Sequence, residues 1–229
     1  MTDRPFHHGN LRAVLLDEAV AALRESGVEG LSLRELARRA GVSHGAPRSH
    51  FVDRRALLDA LAVLGFERLH DRVQQAIAGS DGLRDRFRRV AHAYVDFAVE
   101  DAALMELMFE GKAVGAAAAE VQAAAGTLFT LLDSAMGPAR AGTPADQDEG
   151  APDGGGHDDG DHEGDPRDGD PRDDGARETF KMLFAATMQG IATLVVSRRI
   201  GRTQGDELVD AAAETMLGSD LARRAVSAD

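Results

Sequence analysis

Two helix signals separated by a glycine stand in residues 31–58, and this stretch constrains the fold more than any other part of the chain. Ser32 and Glu35 have the spacing of a capping box, in which each side chain bonds a backbone N–H that a helix start leaves unpaired. The apolar residues that follow recur at three- and four-residue spacing as far as Ala40, which predicts an amphipathic helix. Gly41 ends that helix, because glycine adopts the left-handed backbone conformation that helix ends often need.

A second short helix is predicted directly after this turn, from His44 to His50, with Ser43 as its N-cap. Pro47 removes one early backbone hydrogen bond, so this helix should be short and slightly distorted. A helix, a glycine turn and a second helix form the layout of a helix-turn-helix motif, whose second helix enters the major groove of DNA.

The remainder of the chain is predicted to be helical, which makes the fold all-α. Aromatic residues are only 4% of the sequence, and β-branched runs are nearly absent. Residues 1–54 are expected to form a three-helix head, and residues 55–229 a helical domain that a long helix over 54–79 joins to it. Further helices are expected over residues 11–26, 81–110 (two helices), 113–136, from 177 to a break at 201–205, and 206–217, followed by a polar tail.

The acidic charge of the chain is concentrated in one segment. The formal net charge is −13, but residues 138–176 alone carry −10, whereas residues 1–58 carry +2. This segment is rich in glycine, proline and aspartate and lacks bulky apolar residues, so it is predicted to be a disordered insertion. The overall acidity therefore does not argue against a nucleic-acid partner for the head.

Composition also limits the other classes of site. The chain has no cysteine, which excludes disulfides and thiolate metal sites. No stretch is expected to reach the roughly 20 apolar residues of a membrane span, and the first ten residues lack the apolar core of a signal peptide. We expect a cytoplasmic protein with no membrane partner, no metal and no cofactor.

The head resembles the DNA-binding head of TetR-type (tetracycline-repressor-like) transcriptional regulators over residues 8 to about 66. The resemblance implies a homodimer with two DNA-reading heads and a helical C-terminal domain that dimerises and binds a small-molecule effector. The family usually has a Tyr and a Lys, both associated with phosphate contact, where this chain has Arg48 and Arg54. The matching residues are SLRELA at 32–37, AGVS at 40–43, His50-Phe51 and Leu57-Leu58.

The candidate DNA-binding residues divide into two sets, because phosphate contacts position a protein on DNA and base contacts specify sequence. Arginine at the two departures from the family pattern keeps the capacity to bind phosphate or guanine. The phosphate set is Ser32, His50 and Arg54, with Arg55 beside it, and the groove set is Ser43, His44, Gly45, Arg48 and Ser49.

An effector pocket is expected among methionine and aromatic residues at helical spacing in the second domain. The same pattern is equally typical of a plain core, so the pattern alone leaves both interpretations open. A stripe of small residues, Ala185, Ala186, Gly190 and Thr193, fits either a dimer interface or close packing within one subunit. The candidate pocket residues are Tyr94, Phe97, Met105, Met108, Phe109, Phe129, Met182, Phe184, Met188 and Gln189.

The sequence favours a dimeric repressor that binds a palindromic operator and is released from it by a small apolar effector. Two other parts of the sequence suggest different functions. Residues 41–45 match the G-x-S-x-G elbow of serine hydrolases, but that motif needs a strand-to-helix turn above a sheet, so no enzyme is expected. The acidic insertion, with His157 and His162, could instead act as a metal- or protein-interaction module. It lacks the spacing of a full Ca²⁺ loop, so any metal affinity should be weak.

Overall fold

The computed structural model describes residues 11–110, 116–137 and 171–226, and within these ranges every regular element is helical. The all-α class is therefore confirmed. The elements are α1 (Leu11–Ser26), α2 (Leu33–Arg39), a single 3₁₀ turn (Ala46–Ser49), α3 (Arg54–Ala78), α4 (Gly82–Glu100), α5 (Ala102–Glu110), α6 (Ala116–Ala135), α7 (Pro171–Val196), α8 (Arg202–Leu217) and α9 (Asp220–Ala225).

The head forms where the capping signals predict helix starts. The Ser32 hydroxyl accepts a hydrogen bond from the Glu35 backbone N–H at 3.1 Å, and the Asp53 carboxylate caps α3 by accepting from Ala56 at 2.8 Å. Gly41 adopts a φ of 66°, in the left-handed region that its place after α2 requires. Phe51 is fully buried beneath these elements and closes the core of the head.

The core of the head continues without a break into the rest of the chain. Helix α3 buries a line of apolar residues from Leu57 to Val73, first against α1 and then against α4 and α5. Phe87 of α4 meets Phe180 and Phe184 of α7 edge-to-face, with centroid separations of 5.4 and 5.8 Å. The expected division of the chain at residue 54 stays a prediction, because one core spans both sides of it.

Arg177 fastens three chain segments together near the start of α7. Its side chain is buried and donates to the Asp133 carboxylate at 3.1 Å, at the end of α6. It also donates to the backbone carbonyls of Asp133 at 2.7 Å, Gly137 at 2.9 Å and Ala225 at 3.2 Å. The C-terminal ends of α6 and α9 are thus held at one guanidinium.

Three predicted boundaries are wrong. The insertion does not extend to residue 176, because α7 begins at Pro171 and Ala176 is buried; residues 138–170 lie outside the described residues. Gly205 lies inside α8 instead of breaking a helix: a Cβ there would stand 2.6 Å from a methyl group of Val195, so this glycine allows α8 to approach α7 closely. The expected polar tail includes α9, which buries Ala222, Ala225 and Val226.

Candidate DNA-binding interface

Helix α2 presents arginines that are already paired. The Arg38 guanidinium donates to both Glu35 carboxylate oxygens, at 2.8 and 2.5 Å, and Arg39 bonds both Glu25 and Glu35. The hydrogen bond from Arg38, assisted by Arg39, lowers the pKa of Glu35 to about 2. Arg39 therefore links α2 to α1 through Glu25, whereas Arg38 is paired within α2, and the charge of both arginines is largely compensated.

The predicted helix from His44 to His50 is present only as a single 3₁₀ turn over Ala46–Ser49. Pro47 is buried and its carbonyl accepts from both His50 and Phe51, at 3.0 and 2.9 Å, which closes the turn. Because proline has no N–H and sits at the start of the turn, the segment cannot build the full helical ladder.

Ser43 does not cap this element. Gly45 stands at the N-cap position, without a side-chain hydrogen bond, while the Ser43 carbonyl accepts from Ala46 at 3.0 Å. The predicted capping role of Ser43 is therefore wrong. Ser43 follows a helix, whereas the serine of a hydrolase elbow follows a strand, and the described residues contain no strand.

The groove set lies together on the surface of the head. Ser43, His44, Gly45, Arg48 and Ser49 are all exposed, and a Cβ at Gly45 would meet nothing within 4 Å. Among the described residues, the Arg48 guanidinium has neither a hydrogen bond nor an ion pair, whereas the Ser49 hydroxyl donates to the Ala46 carbonyl at 2.7 Å. Arg48 is thus an uncompensated cationic fork on an exposed turn.

Of the phosphate set, Ser32 and His50 are exposed, but Arg54 has a second role. Its Nε donates to the Leu31 carbonyl at 2.8 Å and one terminal nitrogen donates to the Val28 carbonyl at 2.6 Å. Arg54 therefore fixes the loop between α1 and α2 with two of its donor groups. Its contact with phosphate stays a prediction.

Sequence reasoning missed Arg34, which is exposed in the first turn of α2. It has no hydrogen-bond or ion-pair partner among the described residues. A signal was available, because no acidic residue stands three or four positions from Arg34, whereas Arg38 and Arg39 follow Glu35 at these spacings. Arg34 joins Arg48 as a second uncompensated charge of the head.

In the described part of the chain, the predicted effector residues divide between the core and the surface. Tyr94, Phe97, Met105, Met108, Phe184 and Met188 are buried core residues, while Phe109 and Met182 are 56% and 59% exposed and Phe129 is half-buried. The Tyr94 hydroxyl donates to Gln189 at 3.1 Å, and burial raises the pKa of this tyrosine well above its ordinary value. The cavity beside Phe184 measures only about 10 Å³, too small for a ligand.

A larger cleft of about 460 Å³ lies between α3 and α6. Its apolar wall includes Phe66, and three carboxylates, Glu67, Asp71 and Glu120, stand around it with no lysine or arginine among the lining residues. Sequence reasoning did not predict this cleft, because the spacing of Glu67 and Asp71 is typical of an ordinary solvent-exposed helix face. The lining residues are Val63, Phe66, Glu67, His70, Asp71, Glu120, Ala123, Ala124 and Thr127.

Helix α7 has an apolar face that nothing in the described chain covers. Met182 and Leu183 are 59% and 48% exposed, and Leu208 of α8 is 39% exposed. Of the small-residue stripe, Ala186, Gly190 and Thr193 are exposed and Ala185 is half-buried, and a Cβ at Gly190 would meet nothing within 4 Å. Close packing within one subunit therefore does not account for the stripe.

The expectation that no segment is apolar enough to span a membrane is wrong in one place. Residues Gly175–Val196 of α7 pass by length and composition, and 33% of their most apolar window is buried. Since Phe180, Phe184, Met188 and Ile191 of this helix pack in the core, the remaining apolar character belongs to the uncovered face.

In the described residues, groups of three or more His, Asp or Glu side chains that could hold a metal ion are absent.

Two family models match the chain, one over the head and one over most of the remainder. A model described as bacterial regulatory proteins of the tetR family matches residues 15–61. A model described as the tetracyclin repressor-like C-terminal domain matches residues 87–219.

Individual proteins show the same likeness. The tetracycline repressor protein class D of Escherichia coli is 42% identical over 60 residues, which cover 26% of this chain and 28% of that protein. The uncharacterized HTH-type transcriptional regulator YobS of Bacillus subtilis is 30% identical over 93 residues, 41% of this chain and 48% of that protein. These matches thus span less than half of either relative.

A solved structure from Rhodococcus sp. RHA1, of a protein with unknown function, is similar over nearly the full length. It is 36% identical, covers 98% of this chain and 100% of its own, and superposes with a TM-score of 0.69. The overall fold of this chain is therefore shared by a related protein over nearly its whole length.

Proposed function

Because the chain belongs to the TetR family of bacterial regulatory proteins and is a DNA-binding transcriptional regulator, we propose that it is a homodimeric repressor of the cytoplasm. It binds a palindromic operator, and a small molecule releases it. The observation that carries this proposal is the exposed turn of residues 43–49, in which Arg48 has no partner among the described residues. The buried side chains of Pro47 and Phe51 hold this turn against the core of the head.

The DNA contact uses the 3₁₀ turn and its flanks. Gly45 lets the backbone approach a groove closely, because no side chain stands between it and solvent. Arg48 supplies a planar fork that matches the O6 and N7 acceptors of guanine in the major groove. Ser32, His50 and Arg34 bind phosphates at the rim of the contact, and Arg54 joins them with its remaining donor group.

The dimer forms through the uncovered face of α7 and α8. Met182, Leu183 and Leu208 supply apolar contact area, and Ala186 and Gly190 allow two helices to approach closely. A contiguous exposed apolar patch of this kind marks an interaction site on a protein surface. A two-fold dimer places one head at each half of an operator with matching symmetry.

The effector binds the cleft between α3 and α6. The core that the methionine pattern indicated is filled, whereas this cleft has room for a small ligand. Its apolar wall favours a ligand with an apolar body, and the carboxylates of Glu67, Asp71 and Glu120 favour a positive charge on that ligand. We therefore refine the expected apolar effector to an amphipathic cation.

Selection from a random-sequence duplex pool tests the DNA-binding proposal directly. The full chain should enrich one sequence with inverted-repeat symmetry, and the sequences that Arg48→Ala enriches should lose the preference at one base pair of each half-site. A pool that shows no enriched sequence would contradict operator binding, and an enriched site without two-fold symmetry would contradict the dimeric mode.

Sedimentation equilibrium tests the dimer. The wild-type chain should sediment at twice its mass of 24.3 kDa. Leu183→Asp should shift it toward the monomer, because burying an unpaired carboxylate in an apolar interface is unfavourable. Val14→Asp is the matched control, since Val14 is a similarly exposed apolar residue on α1. A Leu183→Asp chain that stays dimeric would place the interface elsewhere.

A further inference from the structure

Asp101 is the one acidic side chain that is buried among the residues whose burial the structure describes. It is 3% exposed and occupies the single position between α4 and α5. Its backbone N–H donates to the Phe97 carbonyl at 2.9 Å, and its own carbonyl accepts from Met105 at 2.8 Å. The carboxylate is therefore fixed by the backbone at a corner of the helical domain.

The partner of this carboxylate comes from the head. Arg24, in the last turn of α1, donates through Nε to one Asp101 oxygen at 2.6 Å and through a terminal nitrogen to the other at 2.9 Å. The two residues are 77 positions apart in the chain. A two-bond fork of this kind fixes both the distance and the direction between the groups it joins.

The corner at Asp101 is packed firmly into the helical domain. Phe97, one turn earlier on α4, is buried, and the Arg72 guanidinium of α3 lies 5.6 Å from its ring centre. On the same helix, Tyr94 is hydrogen-bonded to Gln189 of α7. Arg24 therefore joins the head to a helix that is itself packed against α3 and α7.

We propose that Arg24 and Asp101 are positioning residues for DNA binding, which fix the angle between each head and the helical domain and so the half-site spacing that the dimer accepts. The proposal rests on the dimeric operator binding described above. Its physical basis is that separating the fork leaves a buried carboxylate without its counter-charge, which is strongly unfavourable. The ion pair between α1 and α3, Arg68 with Asp17, has a 69% exposed carboxylate and resists movement much less.

The test measures affinity as a function of operator spacing. The probes are duplexes that carry two copies of the half-site selected by the wild-type chain, with the spacer changed one base pair at a time. Wild type should show a sharp optimum. Arg24→Ala and Asp101→Asn should each lower the affinity at that optimum by about tenfold and broaden or shift the profile.

The two variants separate positioning from charge, because they change the net charge in opposite directions. If Arg24 acted only as a cation near DNA, Asp101→Asn would leave affinity unchanged or raise it. If the pair contributed only to stability, both variants would lower the affinity at every spacing by one factor. Either result would overturn the proposal.

Three further measurements complete the design. The double variant Arg24→Ala/Asp101→Asn should resemble the single variants, because one interaction is removed in each case. Arg24→Lys should recover part of the wild-type profile. Arg68→Ala is the matched control and should keep the wild-type spacing optimum. Thermal unfolding of each variant identifies any chain that fails to fold. If Arg24→Ala fails to fold, the spacing profile of Asp101→Asn provides the test. A wild-type chain that selects no half-site would instead refute the proposed function.

Discussion

Replacement of Arg177 by methionine tests whether one guanidinium holds the ends of α6 and α9 to α7. Methionine keeps most of the aliphatic volume of the side chain, so the substitution removes charge and hydrogen bonds without opening a large cavity. The backbone carbonyls of Asp133, Gly137 and Ala225 would each lose the donor that Arg177 supplies, although the Asp133 carbonyl would keep its bond from the Met136 N–H. At about 1 kcal/mol for each of these bonds, the loss amounts to roughly 3 kcal/mol.

The ion pair of Arg177 with Asp133 adds little to this figure. The Asp133 side chain is 45% exposed, so water screens the pair and its contribution is about 0.5 kcal/mol. Lys181, whose Nζ lies 3.3 Å from the same carboxylate, remains as a second cation beside Asp133 when Arg177 is replaced. We therefore expect Arg177→Met to lower the free energy of unfolding by about 3 kcal/mol.

Urea denaturation followed by circular dichroism measures this difference at a fixed protein concentration, because dimerisation makes stability depend on concentration. Arg88→Met is the control: Arg88 is an exposed arginine of α4 paired with Asp85, and its loss should change stability by less than about 0.5 kcal/mol. A loss below about 1 kcal/mol in Arg177→Met would refute the reasoning.

The pH dependence of the same difference provides a second readout. Burial is the largest single effect on the pKa of Asp133 and would raise it, but the hydrogen bonds and charges of Arg177 and Lys181 together outweigh burial and hold that pKa below its ordinary value. A carboxylate with a lowered pKa in the folded state stabilises the fold above its unfolded pKa of about 4, and this contribution is lost as the pH falls through the folded value. The gap between wild type and Arg177→Met should therefore narrow below about pH 4.

The remaining predictions concern the DNA contact and the cleft. Arg54→Ala should weaken binding to all sequences about equally and reduce the slope of log affinity against log salt by about 0.9, as expected for one lost phosphate contact. An unchanged slope would leave Arg54 only its role in bracing the loop. Arg48→Ala should cost about 1–3 kcal/mol on the selected operator and relax the preference at one base pair, measured by binding to single-base variants of that operator. Equal losses on all variants would assign Arg48 to phosphate instead. Glu67→Gln and Glu120→Gln should each weaken binding of tetraphenylphosphonium, a lipophilic cation, by several-fold in calorimetry, whereas Glu207→Gln on α8 should not. If the affinity of the first two variants were unchanged, the cation would not bind in this cleft.

The sequence predicted the elements that local rules control. The N-cap at Ser32, the glycine after α2 and the long apolar pattern of α3 each depend on neighbours within a few positions, and all three are present in the structure. Of the capping box only the Ser32 bond is seen among the described residues, because the Glu35 carboxylate accepts from Arg38 and Arg39. The same rules failed where local signals conflict: Pro47 was correctly identified as a distortion, but its effect was larger than expected and left one turn instead of a helix.

The functional geometry was less accessible to sequence reasoning because it depends on residues that are far apart in the chain. No spacing rule connects Arg24 with Asp101, and none connects the residues of α3 with the residues of α6 that line the cleft between them. The pattern of methionine and phenylalanine correctly identified buried residues such as Met188, but a filled core and a ligand pocket share that pattern. Only the packing distinguishes them.

The bonds made by Arg177 also mark a place where the chain can change in length. The end of α6, at Gly137, and the start of α7 are anchored to the same guanidinium, so the two sides of residues 138–170 are tied to a common point whatever lies between them. Each doubling in the length of a flexible connection costs only about 0.6 kcal/mol. We therefore expect that a reporter domain inserted between residues 137 and 171 leaves both anchored ends in place.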